Sequence, residues 1–266
     1  MHVPNNCCNT SGINSEDTNI NHKEAIQKRY GAAAIEQEEC LCTPVSFNPE
    51  YLKIIPKEVI ERDYGCADPT KWVKKDDIVL DLGSGSGKNS FICAQIVGKK
   101  GKVIGIDQNN DMLKLSRNSL KELTEKIGFE NIKFIKGSIE ELDALDNNKE
   151  PIIKTSSVDI ILSNCVLNLV NQKLRRNLLI NIKRVLKDKG RIAISDIVSN
   201  KKVPIRLQND PNLWSGCISG AWYEPELISD FKNLGFKNLN FAQRSKEPWK
   251  IIEDIEFRTI TLTGNL

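Results

Sequence analysis

Gly83-Ser84-Gly85-Ser86-Gly87 follows the apolar run Val79-Leu80-Asp81-Leu82 and puts a glycine at every second position. Glycines at that spacing permit a tight strand-to-helix turn and let backbone approach a ligand closely. A dinucleotide turn needs its third glycine one residue later, where Lys88 stands, so the spacing points away from NAD. Twenty residues past Gly87, Asp107 closes the next apolar run, where a carboxylate can accept both hydroxyls of a ribose. Farther on, Ile139 offers an apolar cover for an adenine face and Glu140 a polar group for its amino nitrogen. No arginine cluster nearby invites a pyrophosphate. Asn164 ends a later apolar run at the sheet edge where ligands of open α/β folds bind. The expected ligand is S-adenosylmethionine, a nucleoside carrying a sulfonium methyl. Its pocket is expected at Asp81, Leu82, Gly83, Ser84, Gly85, Gly87, Asp107, Ile139, Glu140 and Asn164.

The cysteines point to the acceptor. The chain has eight, and with no secretion signal they are expected to be mostly reduced thiols. Asp63-Tyr64-Gly65-Cys66, Ser163-Asn164-Cys165 and Trp214-Ser215-Gly216-Cys217 each put one on a loop. Two of those loops follow strands at the carboxyl edge and the third precedes the first strand, so all three thiols can converge above the donor methyl. Three thiolates suit a pyramidal, thiophilic centre with a lone pair better than tetrahedral zinc, which wants a fourth ligand. Trivalent arsenic is such a centre, and its own lone pair can attack the methyl, so no protein base is required. The two histidines, His2 and His22, lie in or near a polar leader, in keeping with that. Two other readings stay open: a small organic acceptor such as a quinone or sterol ring, with the cysteines as packing, or a metalloid-binding protein that is no enzyme. Cys93, beside Ile92 and Ala94, reads as core packing, as do Trp214, Trp222 and Trp249.

These residues need a scaffold of short apolar runs alternating with amphipathic helices, the pattern of a mostly parallel sheet covered on both faces. Strands are expected at Ile78-Asp81, Val103-Asp107, Ile132-Lys136, Ile160-Ser163 and Arg191-Asp196, and helices near Lys88-Val97, Asp111-Lys126, Lys173-Leu186 and Glu224-Leu234. Lys189-Gly190 supplies a residue of positive φ between the third of these helices and the next strand. Asn238-Ala242 and Ile255-Leu262 alternate as an antiparallel edge pair. Residues 1–21 read as a disordered leader carrying Cys7 and Cys8, and 22–72 as a helical cap whose first helix is interrupted at Gly31. Residues 73–200 read as the ligand-binding core, and 201–266 as a substrate-side loop, last helix and edge strands. With 38 basic against 35 acidic residues, no strong field favours nucleic acid or an anionic membrane. No apolar run reaches the length of a membrane span, so a cytoplasmic location is expected.

Over about Tyr51 to Ala242 the chain resembles class I S-adenosylmethionine methyltransferases, which implies a Rossmann-like, mostly parallel seven-stranded sheet with a small C-terminal extension. The resemblance also implies that Asp81 and the Gly83–Gly87 loop hold the methionine end and Asp107 the ribose, with Ile139 and Glu140 at the adenine. Gln108 stands where such enzymes often carry an apolar residue over that base. From Tyr30 through Cys217-Ile218-Ser219-Gly220-Ala221 and into Ile255-Glu256-Phe257-Arg258, the chain resembles the arsenite methyltransferases more narrowly. That resemblance implies arsenic on Cys66, Cys165 and Cys217, Tyr64 against the sulfonium, and a turnover disulfide between Cys66 and an N-terminal cysteine, Cys42 or Cys40. A thiol reductant such as thioredoxin or glutathione is implied to reopen it. Many members continue into a longer C-terminal region than the one ending at Leu266.

Overall fold

The computed structural model describes residues 22–38, 41 and 45–266; the leader, Cys7, Cys8, Cys40 and Cys42 lie outside the described residues. Five strands run parallel: β1 (Ile78–Leu82), β2 (Lys102–Asp107), β3 (Ile132–Lys136), β4 (Val158–Asn164) and β5 (Leu186–Ser199). After β6 (Trp222–Tyr223), the edge strands β7 (Lys237–Arg244), β8 (Lys250–Ile252) and β9 (Ile255–Asn265) complete the sheet. The main path is β3-β2-β1-β4-β5-β9-β7, seven strands as expected, with β9 antiparallel to both neighbours. Two short strands are additional, β6 beside β5 and β8 beside β9. The order reverses between β1 and β4, which opens a crevice at their carboxyl ends. The glycine loop follows β1 and Cys165 follows β4, so the topology alone sets them side by side.

Alternation along each strand builds the two layers. Leu80, Leu82 and Ile161 face one cluster with Leu178, Ile182 and Phe231, while Val79, Ile160 and Leu162 face another with Phe91, Leu113 and Leu123. The first layer holds α6 (Arg175–Val185) and α9 (Glu224–Asn233); the second holds α4 (Lys88–Val97) and α5 (Asn110–Ile127). Over the carboxyl edge lies α1 (His22–Ala33), packed on α8 (Pro211–Ser215) with α7 (Ile205–Gln208) beside it, while α2 (Pro49–Leu52) and α3 (Lys57–Glu61) cover α4 and α5. Pro211 and the Asp210 carboxylate, which accepts the amides of Asn212 and Leu213, start α8.

Two local expectations fail for physical reasons. Gly31 does not interrupt α1: a Cβ there would come within 3.1 Å of Asp111 Oδ2, so the glycine lets α1 approach α5. β5 begins at Leu186, directly after α6, and the left-handed residue ahead of Arg191 is Lys189, at φ +62°. Gly190 instead fits where a Cβ would stand 2.8 Å from the Lys187 carbonyl oxygen.

Candidate active site

Above the crevice lies a cavity of about 560 Å³. Its floor is the glycine loop, where Gly83, Gly85 and Gly87 take φ of +66°, +52° and +94°. A Cβ on Gly83 would strike the Val166 side chain at 2.5 Å, whereas one on Gly85 would meet nothing within 4 Å. Asp107 braces the loop by accepting the Gly85 amide at 2.9 Å and the Asn109 amide at 2.7 Å. Burial raises the Asp107 carboxyl above its ordinary value, although these amides pull the other way. Ser84 Oγ and Asn89 Oδ1, buried at the cavity, have no partner among the described residues. Orphaned polar atoms at a concave, glycine-floored site are groups a ligand would satisfy.

Of the expected pocket residues, Tyr64, Gly83, Ser84, Gly85, Asp107, Gln108, Ile139, Glu140 and Asn164 line the cavity. Asp81, Leu82 and Gly87 lie beneath or beside that lining. Asp81 is turned under the loop, accepting the Ser90 hydroxyl at 2.6 Å, and burial pushes its carboxyl up to about 7. Leu82 belongs to the core, and Gly87 caps α4 where a Cβ would strike the Phe134 ring at 2.9 Å. The Asn164 amide is occupied with the Cys66 loop. Its Oδ1 accepts Cys66 N at 2.8 Å and its Nδ2 donates to the Ala67 carbonyl at 2.8 Å. Tyr64 donates its hydroxyl to the Ala33 carbonyl at 2.8 Å and meets Tyr30 edge-on.

Residues unnamed from sequence also line the cavity, among them His22, Tyr30, Asn89, Asn109 and Met112. Asn89 and Met112 sit in the first turns of α4 and α5, at the carboxyl edge, a signal that could have found them. His22 was hidden by its polar neighbours: it starts α1 and stacks on Trp214 with ring centroids 4.2 Å apart.

Cys66, Cys165 and Cys217 are buried in one apolar cluster with Leu213, Ile218 and Phe257, whereas Cys93 lies in the layer behind β1. Cys165 and Cys217 both take left-handed backbone, φ +59° and +60°. The Cys165 thiol is pushed up by burial and then by its hydrogen bond with Cys66. Cys217 is pushed up by burial and then by the Asp196 carboxylate. Its Sγ donates to the Cys165 carbonyl at 2.9 Å and lies 3.8 Å from the Tyr30 hydroxyl. Among the described residues no three His, Cys, Asp or Glu side chains stand in metal-ligating spacing. The three cysteines are thus brought together but not closed into a ligand set, Cys217 being turned to a carbonyl. Cys165 lines the cavity, and Cys66 opens on a second cleft with Ser46, Lys71 and Arg244.

The methyltransferase domain family matches residues 73–252. The arsenite methyltransferase of Mus musculus is 34% identical over 84% of this chain and 59% of its own length. That of Aquipseudomonas alcaligenes is 33% identical over 79% of this chain and 60% of its own length. The chain therefore spans about three fifths of the length of these curated relatives. The solved structure of an arsenic (III) S-adenosylmethionine methyltransferase from Chlamydomonas reinhardtii superposes with a TM-score of 0.73 at 29% identity, covering 83% of this chain and 74% of that one. By the match over its core, and with the glycine-floored cavity at the reversal of the sheet, this chain belongs to the methyltransferase domain family.

Proposed function

We propose that the chain transfers the methyl group of S-adenosylmethionine to trivalent arsenic held on Cys66, Cys165 and Cys217. The observation that carries the proposal is the gathering of these three thiols in one apolar cluster, with Cys165 on the wall of the donor cavity. The cavity's own residues fit the donor: Asp107 and the Gly85 loop for the ribose side, Ile139 and Glu140 for the base, and the orphaned Ser84 and Asn89 groups for remaining polar atoms. When bound, S-adenosylmethionine supplies an electrophilic methyl to the arsenic lone pair.

The chain's part is to hold arsenic and exclude water. Arsenite condenses with thiols as a neutral acid, each S–H and As–OH becoming an As–S bond and a water, so no side chain must take up a proton. Thiols pushed up by burial, as at Cys165 and Cys217, suit this exchange. Cys217 must first leave the Cys165 carbonyl. Arsenic ends the transfer two electrons more oxidised, and a thiol pair that returns them becomes a disulfide. In this reading Cys66 and Cys42, or Cys40, form that pair, and a thiol reductant such as thioredoxin or glutathione reopens it in the cytoplasm. No helix among the described residues is long and apolar enough to cross a membrane.

Incubating the protein with arsenite, S-adenosylmethionine and a thiol reductant, followed by arsenic speciation, tests the proposal. Folded protein that yields no methylated arsenic refutes it. An organic acceptor would instead leave Trp249, which packs against the thiol cluster, indifferent to arsenite in a fluorescence titration.

A further inference from the structure

Cys165 sits between two buried asparagines, Asn164 and Asn168, and each spends its side chain on a different neighbouring loop. Asn164 takes the amides of Cys66 and Ala67 on Oδ1, at 2.8 and 3.3 Å, and returns a bond from Nδ2 to the Ala67 carbonyl at 2.8 Å. It thereby treats the Cys66 loop as a strand treats its neighbour. The approach is so close that a Cβ on Gly65 would stand 2.1 Å from Asn164 Nδ2. Asn168 donates Nδ2 to the Ile197 carbonyl at 2.7 Å and to the Cys217 carbonyl at 3.2 Å. On this side too a glycine makes room, since a Cβ on Gly220 would lie 1.9 Å from the Asn168 carbonyl oxygen.

We infer that Asn164 and Asn168 are positioning residues that set Cys66 and Cys217, respectively, against Cys165. The inference rests on the arsenic reading above. Three cysteines on separate loops need fixed separations to close on one atom, and a thiol's position follows the backbone that carries it. Among the described residues, the polar side-chain contacts reaching the Cys66 backbone and the Cys217 carbonyl come from these two amides.

The two clamps should fail differently. Arsenite uses three thiols, whereas a singly methylated trivalent arsenical has only two exchangeable positions, and Cys66, which opens on the second cleft, is the thiol it leaves out in this reading. Asn164→Ala should lower kcat/KM for arsenite by about tenfold to a hundredfold, the scale of losing a buried hydrogen-bonded pair. Turnover of methylarsonous acid should fall less than that of arsenite, so that the ratio of the two kcat/KM values shifts by about tenfold. Asn168→Ala should lower turnover of both arsenicals, because both need Cys217. Gly65→Ala, which forces the Cys66 loop off Asn164 from the opposite side, should reproduce the Asn164→Ala selectivity if that variant does not fold. Equal losses on both acceptors with Asn164→Ala overturn the inference. Wild-type protein that binds no arsenite overturns the arsenic reading instead, so the two failures are told apart.

Discussion

Replacing Cys217 by alanine and, in parallel, by glycine separates the strain at this residue from its chemistry. The residue is buried with φ +60°, a region where L-residues meet their own carbonyl and lose roughly 1–2 kcal/mol. Both variants lose the thiol's bond to the Cys165 carbonyl, so that term cancels, while glycine also gives up one buried methyl, about 0.8 kcal/mol. What remains is a Cβ in left-handed backbone. At ordinary φ alanine outranks glycine by about 0.4–1 kcal/mol through the entropy of the unfolded chain, and at positive φ the order inverts by more than that. Cys217→Gly should therefore come level with Cys217→Ala, within about 0.5 kcal/mol, instead of falling below it by the roughly 1–2 kcal/mol that burial and entropy give alanine at ordinary φ. Thermal unfolding followed by circular dichroism, checked by urea midpoints, measures it. Neither variant should bind arsenite. If alanine proves better by more than about 1 kcal/mol, the backbone at Cys217 is relaxed and strain has no place in the account of the site.

Other perturbations bear on the donor side. Gly83→Ala, which adds a Cβ at φ +66° into Val166, should destabilise the protein and weaken donor binding in calorimetry. Asp107→Ala removes the acceptor of two loop amides and should raise the donor dissociation constant about tenfold to a hundredfold. Asp81 has a folded value of about 7 against an ordinary 3.8, so the folded state holds its proton longer. Its contribution to stability accordingly declines as pH rises from about 4 to 7 and is level above that. The unfolding free energy of wild type minus that of Asp81→Asn should trace this decline, and a difference that grows with pH over that window refutes it. Cys93→Ala should cost about 1–2 kcal/mol in urea unfolding and leave arsenite binding intact, because Cys93 packs behind β1.

The parallel sheet was legible because each strand is a short apolar run with punctuation at both ends. Gly87 and Gly98 bracket α4, whose observed limits match the expected ones. The antiparallel edge pair was readable from alternation at Phe241 and Ile260. The donor loop was readable because glycine spacing reports backbone conformation directly. What escaped were side-chain directions. Asp81 follows the same strand as Gly83 yet turns beneath it to Ser90, and no one-dimensional pattern distinguishes the two orientations. Asn164 was placed at the correct edge, but its bonds to the Cys66 loop were not readable, because that loop lies nearly a hundred residues away in sequence. His22 was assigned by composition to its neighbours, although the fold seats it on Trp214.

The cysteine cluster is where local rules give way most. Eight non-glycine residues among those described take positive φ, and Asp76, Lys149, Ser156, Lys189, Asn238 and Glu253 are all exposed, in turns or bends or near the starts of β5 and β7. The two that are buried are Cys165 and Cys217. An exposed turn can carry such a residue because water satisfies its polar backbone and little packing is at stake; a buried one persists only where surrounding structure over-determines it. The surroundings here do so: the Cys165 amide stays bonded to the Ser195 carbonyl at 2.8 Å, Asn164 and Asn168 fasten the loops on either side, and Gly65 and Gly220 admit them. Cysteine as mere packing would be replaceable at both positions by glycine with a gain in backbone freedom. That the chain keeps a thiol at each, in the conformation that suits a thiol least, argues that the sulfur atoms are what the site is built to present.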